Sequence, residues 1–254
     1  VWAAFAESVL VAVGLLGVFA RRSGALSAWR IRYDRAKRLL KDSWPLILSG
    51  LAVMVYMRID QIMLGQMLGD EAVGIYSAAV RISEVWYFIP TAIIASVFPA
   101  IVAAKKHSET QYRQRLQNLY NAMVALALAV ALPMTFLSDW VIDLLFGNTY
   151  ADAGPVLALH IWSALFVFLG LASGSGYLTE NLQMLAFART LLGAFVNVLA
   201  NFILIPLFGI LGAAMGTLLA QMAAAYLFDL LHTKTRNHFW MKTKSFVSFY
   251  RFSF

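Results

Sequence analysis

Seven long apolar segments limit what this chain can fold into more than any other feature of its sequence. A helix needs about 20 mostly apolar residues to cross the hydrocarbon core of a membrane. The chain is 61% hydrophobic and only 13% charged, whereas soluble domains are about half apolar and about a quarter charged. The sequence therefore predicts an all-α integral membrane protein that lies in a lipid bilayer. It has about seven transmembrane helices, at residues 2–20, 44–66, 73–103, 118–137, 154–176, 186–207 and 210–231.

Prolines mark two places where these helices should break or turn. The third segment is unusually long and carries Pro90 and Pro99. Because proline lacks the backbone donor of an inner helical turn, we expect a kinked or broken helix there. Pro206 and Gly209 should turn the chain sharply from the sixth segment into the seventh.

Positive charge is distributed unevenly between the two sides of the predicted bundle. Of the 20 Lys and Arg residues, 17 lie within residues 21–41, 105–115 and 234–251, and the alternate loops contain none. Cytoplasmic loops of membrane proteins carry this excess of Lys and Arg. The basic loops and the C-terminus are therefore predicted to be cytoplasmic in a multi-pass protein. Because the net charge of +7 arises in these loops, no nucleic-acid partner is predicted.

Two basic stretches outside the helices have their own interpretations. Residues 21–42 read equally well as an amphipathic segment on the anionic inner leaflet or as a solvated linker. The tail "FWMKTKSFVSFYRFSF" is typical of an aromatic interfacial anchor.

Three arginines remain inside the apolar segments: Arg58, Arg81 and Arg189. Arg189 begins the sixth segment and can extend its side chain to water. An arginine at the centre of a membrane helix costs about 2.5–3.5 kcal/mol on insertion scales, so Arg58 and Arg81 need partners or a water-filled cavity. The second and third helices should be antiparallel, which places Asp60 level with Arg81 and Arg58 level with Glu84. These four residues either lock the hairpin as ion pairs or line a transport cavity.

Other polar residues give weaker signals. Asn197 and Asn201 stand one turn apart, and interhelical hydrogen bonding is the favoured use. His160 has apolar neighbours and is predicted to be packed. No motif of the common enzyme classes occurs, the four histidines are not at metal-ligand spacing, and there is no cysteine. The chain is therefore predicted not to be an enzyme and to hold no metal centre.

Three blocks of sequence resemble one family. They are "RIDQIMLGQMLGDEAVGIYSAAVRISEVWYFIP" followed by "FPAI", then "LFGNTYADAGPVLALHIW", then "NFILIPLFGILGAAMGTLLA". In this order they resemble polysaccharide biosynthesis proteins of the Wzx-type O-antigen flippase family, within the multidrug/oligosaccharidyl-lipid/polysaccharide (MATE-like) exporter superfamily. That family is built from two six-helix lobes around a central cavity.

The resemblance implies a domain organisation. Residues 1–20 would be the last helix of the N-lobe. The absence of an initiator Met suggests that the sequence begins inside this helix. Residues 21–42 would be the cytoplasmic linker between lobes, 43–232 the six-helix C-lobe, and 233–254 the basic aromatic tail. A partial chain of this kind should not transport alone.

The resemblance also implies a function, the movement of an undecaprenyl-pyrophosphate-linked oligosaccharide across a bacterial or archaeal cell membrane by alternating access. Arg58 and Arg81 would engage the pyrophosphate or gate the cavity. Asp60 and Glu84 would hold the arginines, or carry a coupling proton or sodium ion, with no other cofactor. The implied partners are the lipid-linked substrate, the bilayer and the polysaccharide polymerase machinery.

Two alternatives remain open from the sequence. A lipid II flippase or a multidrug/cation antiporter of the same superfamily would share the fold, although an antiporter is expected to line its pocket with acidic and aromatic groups. A membrane assembly subunit without transport activity would use the charges only for structure.

Overall fold

The computed structural model describes residues 2–23 and 32–249, and its regular elements in this part of the chain are all helical. They are α1 (Trp2–Ser23), α2 (Tyr33–Leu68), α3 (Asp70–Glu84), α4 (Phe88–His107), α5 (Glu109–Phe146), α6 (Ala153–His160), α7 (Ser163–Thr179), α8 (Gln183–Phe208), α9 (Ile210–Ala225) and α10 (Arg236–Ser248). Short 3₁₀ turns occupy Val85–Tyr87, Asn148–Tyr150 and Leu227–Leu230.

The chain divides into two compact units, residues 1–42 and 43–254. In the first, the apolar part of α1 is the short stretch Ser8–Phe19. Of the predicted basic segment 21–42, residues 24–31 lie outside the described residues, and the part from Tyr33 onward is helical. The second unit contains the bundle.

Six helical stretches of the described chain are long and apolar enough to cross a membrane, and they match six of the seven predicted segments. They are Leu46–Leu68, Asp70–His107, Glu109–Phe146, Ala153–Thr179, Gln183–Phe208 and Ile210–Leu230. The first predicted segment, 2–20, is helical, but its apolar stretch is shorter than a full span. The protein is an all-α integral membrane protein that crosses the bilayer several times.

The predicted break in the third segment is confirmed. The helix ends at Glu84, passes through a 3₁₀ turn, and resumes as α4 at Phe88. Pro90 then falls in the first turn of α4, where a missing backbone donor costs little. The break places Glu84 and Tyr87 against the same small cavity.

Glycines allow α8 and α9 to pack as a tight hairpin. Gly209 joins them with φ +61°, a left-handed conformation that favours glycine. On α9, Gly212 faces the backbone of Leu204 and Gly216 faces the side chain of Asn201 so closely that neither position has room for a Cβ atom. The G-x-x-x-G spacing thus serves close helix packing.

The C-terminal helix is more deeply embedded than an interfacial anchor would be. His238, Phe239, Lys242 and Ser245 form the buried face of α10, whereas Trp240 is 62% exposed. The amine of Lys242 has no exposed surface and donates to Asp229 Oδ2 at 2.8 Å and to the Ala225 carbonyl at 2.5 Å. Burial lowers the pKa of Lys242 to about 8, while the Asp229 carboxylate acts in the opposite direction. The sequence interpretation missed this ion pair.

The Lys242–Asp229 pair should dominate the stability of the C-terminal docking. Replacing Asp229 with Ala leaves a buried amine without its counter-ion, which costs about 3–5 kcal/mol. We expect Asp229→Ala to lower the thermal unfolding temperature of the purified protein strongly. The double variant Asp229→Leu with Lys242→Met should recover most of the loss.

Lys244→Ala, on the exposed face of the same helix, is the matched control and should change the unfolding temperature little. Equal effects of Lys242→Ala and Lys244→Ala would contradict the role given to the buried pair.

Candidate functional site

A buried carboxylate lies at the meeting point of α2, α3 and α9. Asp60 on α2 is only 4% exposed. Its Oδ2 accepts hydrogen bonds from the Tyr76 hydroxyl at 2.8 Å and from Thr217 Oγ1 at 2.7 Å. These two hydroxyls solvate the charge inside the bundle, where an unpaired carboxylate would be costly.

The predicted ion pair between Asp60 and Arg81 is absent, because Arg81 is exposed and Asp60 is turned toward hydroxyl groups. The turn at Gly69 (φ +91°) does bring α3 back against α2, as the contact between Tyr76 and Asp60 shows. However, Arg81 follows Tyr76 by five residues, and at about 100° per residue it lies roughly 140° away around α3. Residue numbers counted from the turn were therefore insufficient to pair the two charges.

Two asparagines on α8 complete the surroundings of Asp60. The side chain of Asn197 lies next to the Asp60 carboxylate, and its Oδ1 accepts from Asn201 Nδ2 at 3.3 Å. Both asparagines are buried. Among the described residues, Asp60 Oδ1 and Asn201 Oδ1 have no hydrogen-bond partner. Asn197 Nδ2, a donor beside the carboxylate, is unpartnered in the described chain as well. Buried polar atoms of this kind normally have a partner, so Asp60 Oδ1 is a candidate for receiving a proton or a cation, and Asn201 Oδ1 for a cation alone.

A second carboxylate faces the same region. Glu84 is half-buried and lines a cavity of about 20 Å³ together with Asp60, His160 and Thr217, which is room for about one water molecule. Arg58 is exposed. It lies close enough to act electrostatically on Glu84, as does Asp60, but the described residues include no contact ion pair between Arg58 and Glu84. The predicted level placement of Arg58 and Glu84 thus brings their charges near each other without direct contact.

His160 is buried as the sequence suggested, but it also belongs to this cavity. Its Nδ1 lies 2.9 Å from Ser83 Oγ, and its ring packs edge-on against Tyr76 with centroids 6.1 Å apart. His160 thus packs against the same tyrosine whose hydroxyl donates to Asp60.

We call the small cavity lined by Asp60 and Glu84 the acidic cavity. A larger groove of about 330 Å³ adjoins it. The two share Met57, Tyr87 and Gln221 among their lining residues, and Arg189 lines the groove. The charged residue that lines the groove, Arg189, is positive, whereas those that line the acidic cavity, Asp60 and Glu84, are acidic. The site thus joins a cationic groove to an acidic cavity within the membrane-spanning helices.

The sequence predicted that Arg189 extends its side chain into water. In the structure its side chain is instead held by α7. Its guanidinium donates to Ser173 Oγ at 2.5 Å and to the Gly170 carbonyl at 3.0 Å. The same group stacks over the Tyr177 ring at 4.8 Å. Tyr177 in turn donates to Asp229 Oδ1 at 2.6 Å. The arginine is half-buried and preoriented, a favourable state for binding an anion.

Sequence reasoning missed Tyr76, Thr217 and Gln221. The usable signal was periodicity: Thr217 and Gln221 stand one turn apart on α9, as Asn197 and Asn201 do on α8. Two polar pairs on consecutive apolar helices predict facing polar stripes. One member of each pair, Thr217 and Asn197, meets Asp60, which is 157 residues away from Thr217 in sequence.

The chemistry of the donors limits what could bind. The described residues contain no cluster of three or more His, Cys, Asp or Glu side chains suited to a metal ion. The groups around Asp60 are oxygen donors from carboxylate, hydroxyl and amide, which suit a proton or a hard cation and not a transition metal.

Comparison with known families gives one match over more than half of the chain. The model of a family described as "Polysaccharide biosynthesis protein" matches residues 1–155. No solved structure matches the chain.

Several curated proteins are similar to the chain. A "Probable flippase AglR" of Haloferax volcanii is 27% identical over 225 residues, covering 85% of this chain and 46% of that protein. A "Probable low-salt glycan biosynthesis flippase Agl15" of the same organism is 24% identical over 189 residues, covering 74% and 40%. A "Capsular polysaccharide biosynthesis protein CapF" of Staphylococcus aureus is 22% identical over 184 residues, covering 71% and 46%. The chain spans less than half the length of each.

The hydroxyl cage around Asp60 can be tested by stability alone. Asp60→Asn keeps an oxygen acceptor for Tyr76 and Thr217 and should unfold at nearly the wild-type temperature. Asp60→Leu removes the acceptor and should cost about 1–3 kcal/mol. Thermal unfolding of the purified protein measures both, with the exposed Asp143→Leu as control. Equal stability of Asp60→Leu and wild type would show that the cage contributes nothing.

Proposed function

We propose, from the premise that this chain belongs to the polysaccharide biosynthesis protein family, that it is one part of a flippase for a lipid-linked oligosaccharide. The names of the two Haloferax volcanii relatives include the word flippase, and those of CapF and of the "Teichuronic acid biosynthesis protein TuaB" of Bacillus subtilis refer to cell-surface polymers. In this proposal the protein is a transporter and not an enzyme.

The observation that carries the proposal is the cationic groove beside the buried carboxylate. Ionisable groups inside membrane-spanning segments are costly and usually mark a transport path. A pyrophosphate needs a guanidinium that can bind its oxygens, which Arg189 supplies. Sugar hydroxyls need donors and acceptors, which Gln221 and Thr190 supply in the same groove.

Arg58 and Arg81 have a place in the same proposal. Both side chains are exposed in the described chain, which spans less than half of its relatives. We assign them to the wall of a central cavity completed by the remainder of the transporter, where they attract the pyrophosphate. Glu84, near Arg58, would moderate that attraction.

Asp60 is the proposed coupling site. Its unpartnered Oδ1 and the neighbouring oxygen donors fit a proton or a sodium ion. Uptake of either cation neutralises the carboxylate and changes its interaction with Tyr76 and Thr217. Because those residues lie on α3 and α9, this would connect the ion to the packing of three helices.

The proposed organisation follows the two-lobe plan. Residues 1–20 end the first lobe, 21–42 link the lobes, 43–232 form the second lobe and 233–254 the tail. The basic loops and the C-terminus lie on the cytoplasmic side of the cell membrane, and polysaccharide polymerase machinery receives the flipped product. Alternating access of the two lobes moves the head group while the lipid tail stays in the bilayer.

The acidic cavity also supports a second candidate, a cation antiporter. Asp60, Glu84, Tyr87 and His160 are the acidic and aromatic groups that would suit a cationic drug. The names of the relatives favour the flippase.

Loss of Arg189 should strongly reduce transport without loss of the protein. We expect Arg189→Gln in the full-length gene product, expressed in cells that lack their own flippase, to reduce surface polysaccharide about tenfold or more, because a charge-assisted hydrogen bond contributes about 1.5–3 kcal/mol. Arg58→Ala should reduce it as well.

The measurement is surface polysaccharide relative to membrane protein level, with the exposed Arg113→Gln as control. Normal polysaccharide in Arg189→Gln would overturn the assignment of the groove. If surface polysaccharide recovers when Glu84→Ala is added to Arg58→Ala, Arg58 serves only as a structural partner of Glu84. Export of a cationic dye by the wild type, with polysaccharide unaffected, would favour the antiporter.

Neutralising Asp60 should uncouple transport from its driving ion. In proteoliposomes containing the full-length protein, we expect an imposed sodium or proton gradient to accelerate wild-type flipping and to leave Asp60→Asn unaffected. The exposed Asp152→Asn should respond like the wild type. An undiminished gradient response in Asp60→Asn would move the coupling site elsewhere.

A further inference from the structure

A slot between α4 and α5, away from the groove, has an apolar wall and a basic end. Its volume is about 340 Å³, and its lining is aliphatic apart from Arg115 and Asn118. None of its lining residues belongs to the groove or to the acidic cavity. The slot is therefore a separate feature of the bundle.

The slot runs lengthwise along the two helices. Helices α4 and α5 are antiparallel on either side of Ser108, and the lining residues pair at distances from it that agree to within one residue. Ala100 lies level with Arg115, Val97 with Asn118, and Ile93 with Ala122. Seven residues separate the first and last pairs on each helix, so the slot is about 10 Å long. Its basic end is nearest the helix turn, and its far end is apolar.

Arg115 is fixed at the mouth of the slot. Its side chain is exposed, and one terminal nitrogen donates to the Ala100 carbonyl on the opposite helix at 3.0 Å. A guanidinium carries five N–H donors, and this is the one hydrogen bond that Arg115 makes within the described chain. Arg115 lines the slot and keeps donors that are not used within the described chain.

The surroundings of the mouth carry excess positive charge. Glu109 is bound by both Lys105 and Arg113, at 2.7 Å and 3.0 Å. Lys106 and Arg115 thus remain without a carboxylate among the described residues. An anion at the mouth would meet uncompensated positive charge.

We propose that this slot binds one anionic glycerophospholipid, with an acyl chain between α4 and α5 and the headgroup phosphate on Arg115. The slot has the polarity of such a lipid, anion-binding at one end and apolar along its length. Basic pockets between membrane helices are suited to anionic headgroups. A free phosphate would leave the apolar wall unused, and a neutral lipid would leave Arg115 unused.

The test measures lipid retention by the full-length gene product. Purified protein in detergent is titrated with phosphatidylglycerol, and bound lipid is counted by native mass spectrometry. We expect one saturable site, with affinity about tenfold lower in Arg115→Gln and similarly lower in Ala122→Phe, which fills the far end of the slot. Phosphatidylcholine and inorganic phosphate should not saturate this site.

Arg113→Gln is the matched control, because it removes the same charge two residues away from a side chain that is paired with Glu109. An equal loss in Arg113→Gln and Arg115→Gln would mean that only diffuse charge attracts lipid, and would overturn the proposal. So would retention of affinity in Ala122→Phe.

A second measurement protects the test from a folding defect. Wild-type protein is irradiated with phosphatidylglycerol that carries a photoactivatable group at the end of one acyl chain. Crosslinks to peptides containing Ile93 or Ala122 support the proposal. Crosslinks elsewhere, or coverage of the slot by another part of the full-length protein, contradict it.

Discussion

The cost of placing charge among membrane-spanning helices governs the arrangement of this bundle. Each buried charge in the described chain has to be solvated by protein groups, and the structure uses two solutions. Asp60 is surrounded by hydroxyl and amide groups from α3, α8 and α9. Asp229 is paired with Lys242 and also accepts from Tyr177. The first solution leaves one carboxylate oxygen unpartnered, whereas the second uses both. This difference is why we assign the exchangeable ion to Asp60 and a fixed structural role to Asp229.

Hydropathy and breaker residues predicted the fold well, because both act over a few neighbouring residues. The six spans follow from runs of apolar side chains, and the break after Glu84 follows from the prolines beyond it. The family resemblance is confirmed by the family match. The pairing of charges could not be predicted in the same way. Residue numbers give depth along antiparallel helices, but rotation about each helix axis decides which side chains meet. Asp60 meets Tyr76, and Arg81, five residues further along, is on another face of α3.

The sequence also gave no local sign that α10 is built into the bundle. Its aromatic and basic residues match those of an interfacial anchor. Those that fit this pattern, Trp240 and Lys244, lie on its exposed face. The buried face depends on Asp229 and on Tyr120, which contacts His238 at 2.8 Å. These partners come from α5 and from the 3₁₀ turn Leu227–Leu230 that follows α9, so only the assembled structure brings them together. The same holds for Arg189, whose position is set by α7.

The embedded α10 also has a consequence for the order in which the protein is made. Asp229 lies at the end of the sixth described span, Ile210–Leu230, and its counter-ion is 13 residues further along the chain. Until Lys242 leaves the ribosome, the Asp229 carboxylate and the Tyr177 hydroxyl have to be accommodated without that cation. Because Tyr177 also supports Arg189, the groove reaches its final form only after this late segment has docked. Docking of α10 is therefore a step that follows the synthesis of all six described spans, and until it occurs Asp229 remains without its counter-ion.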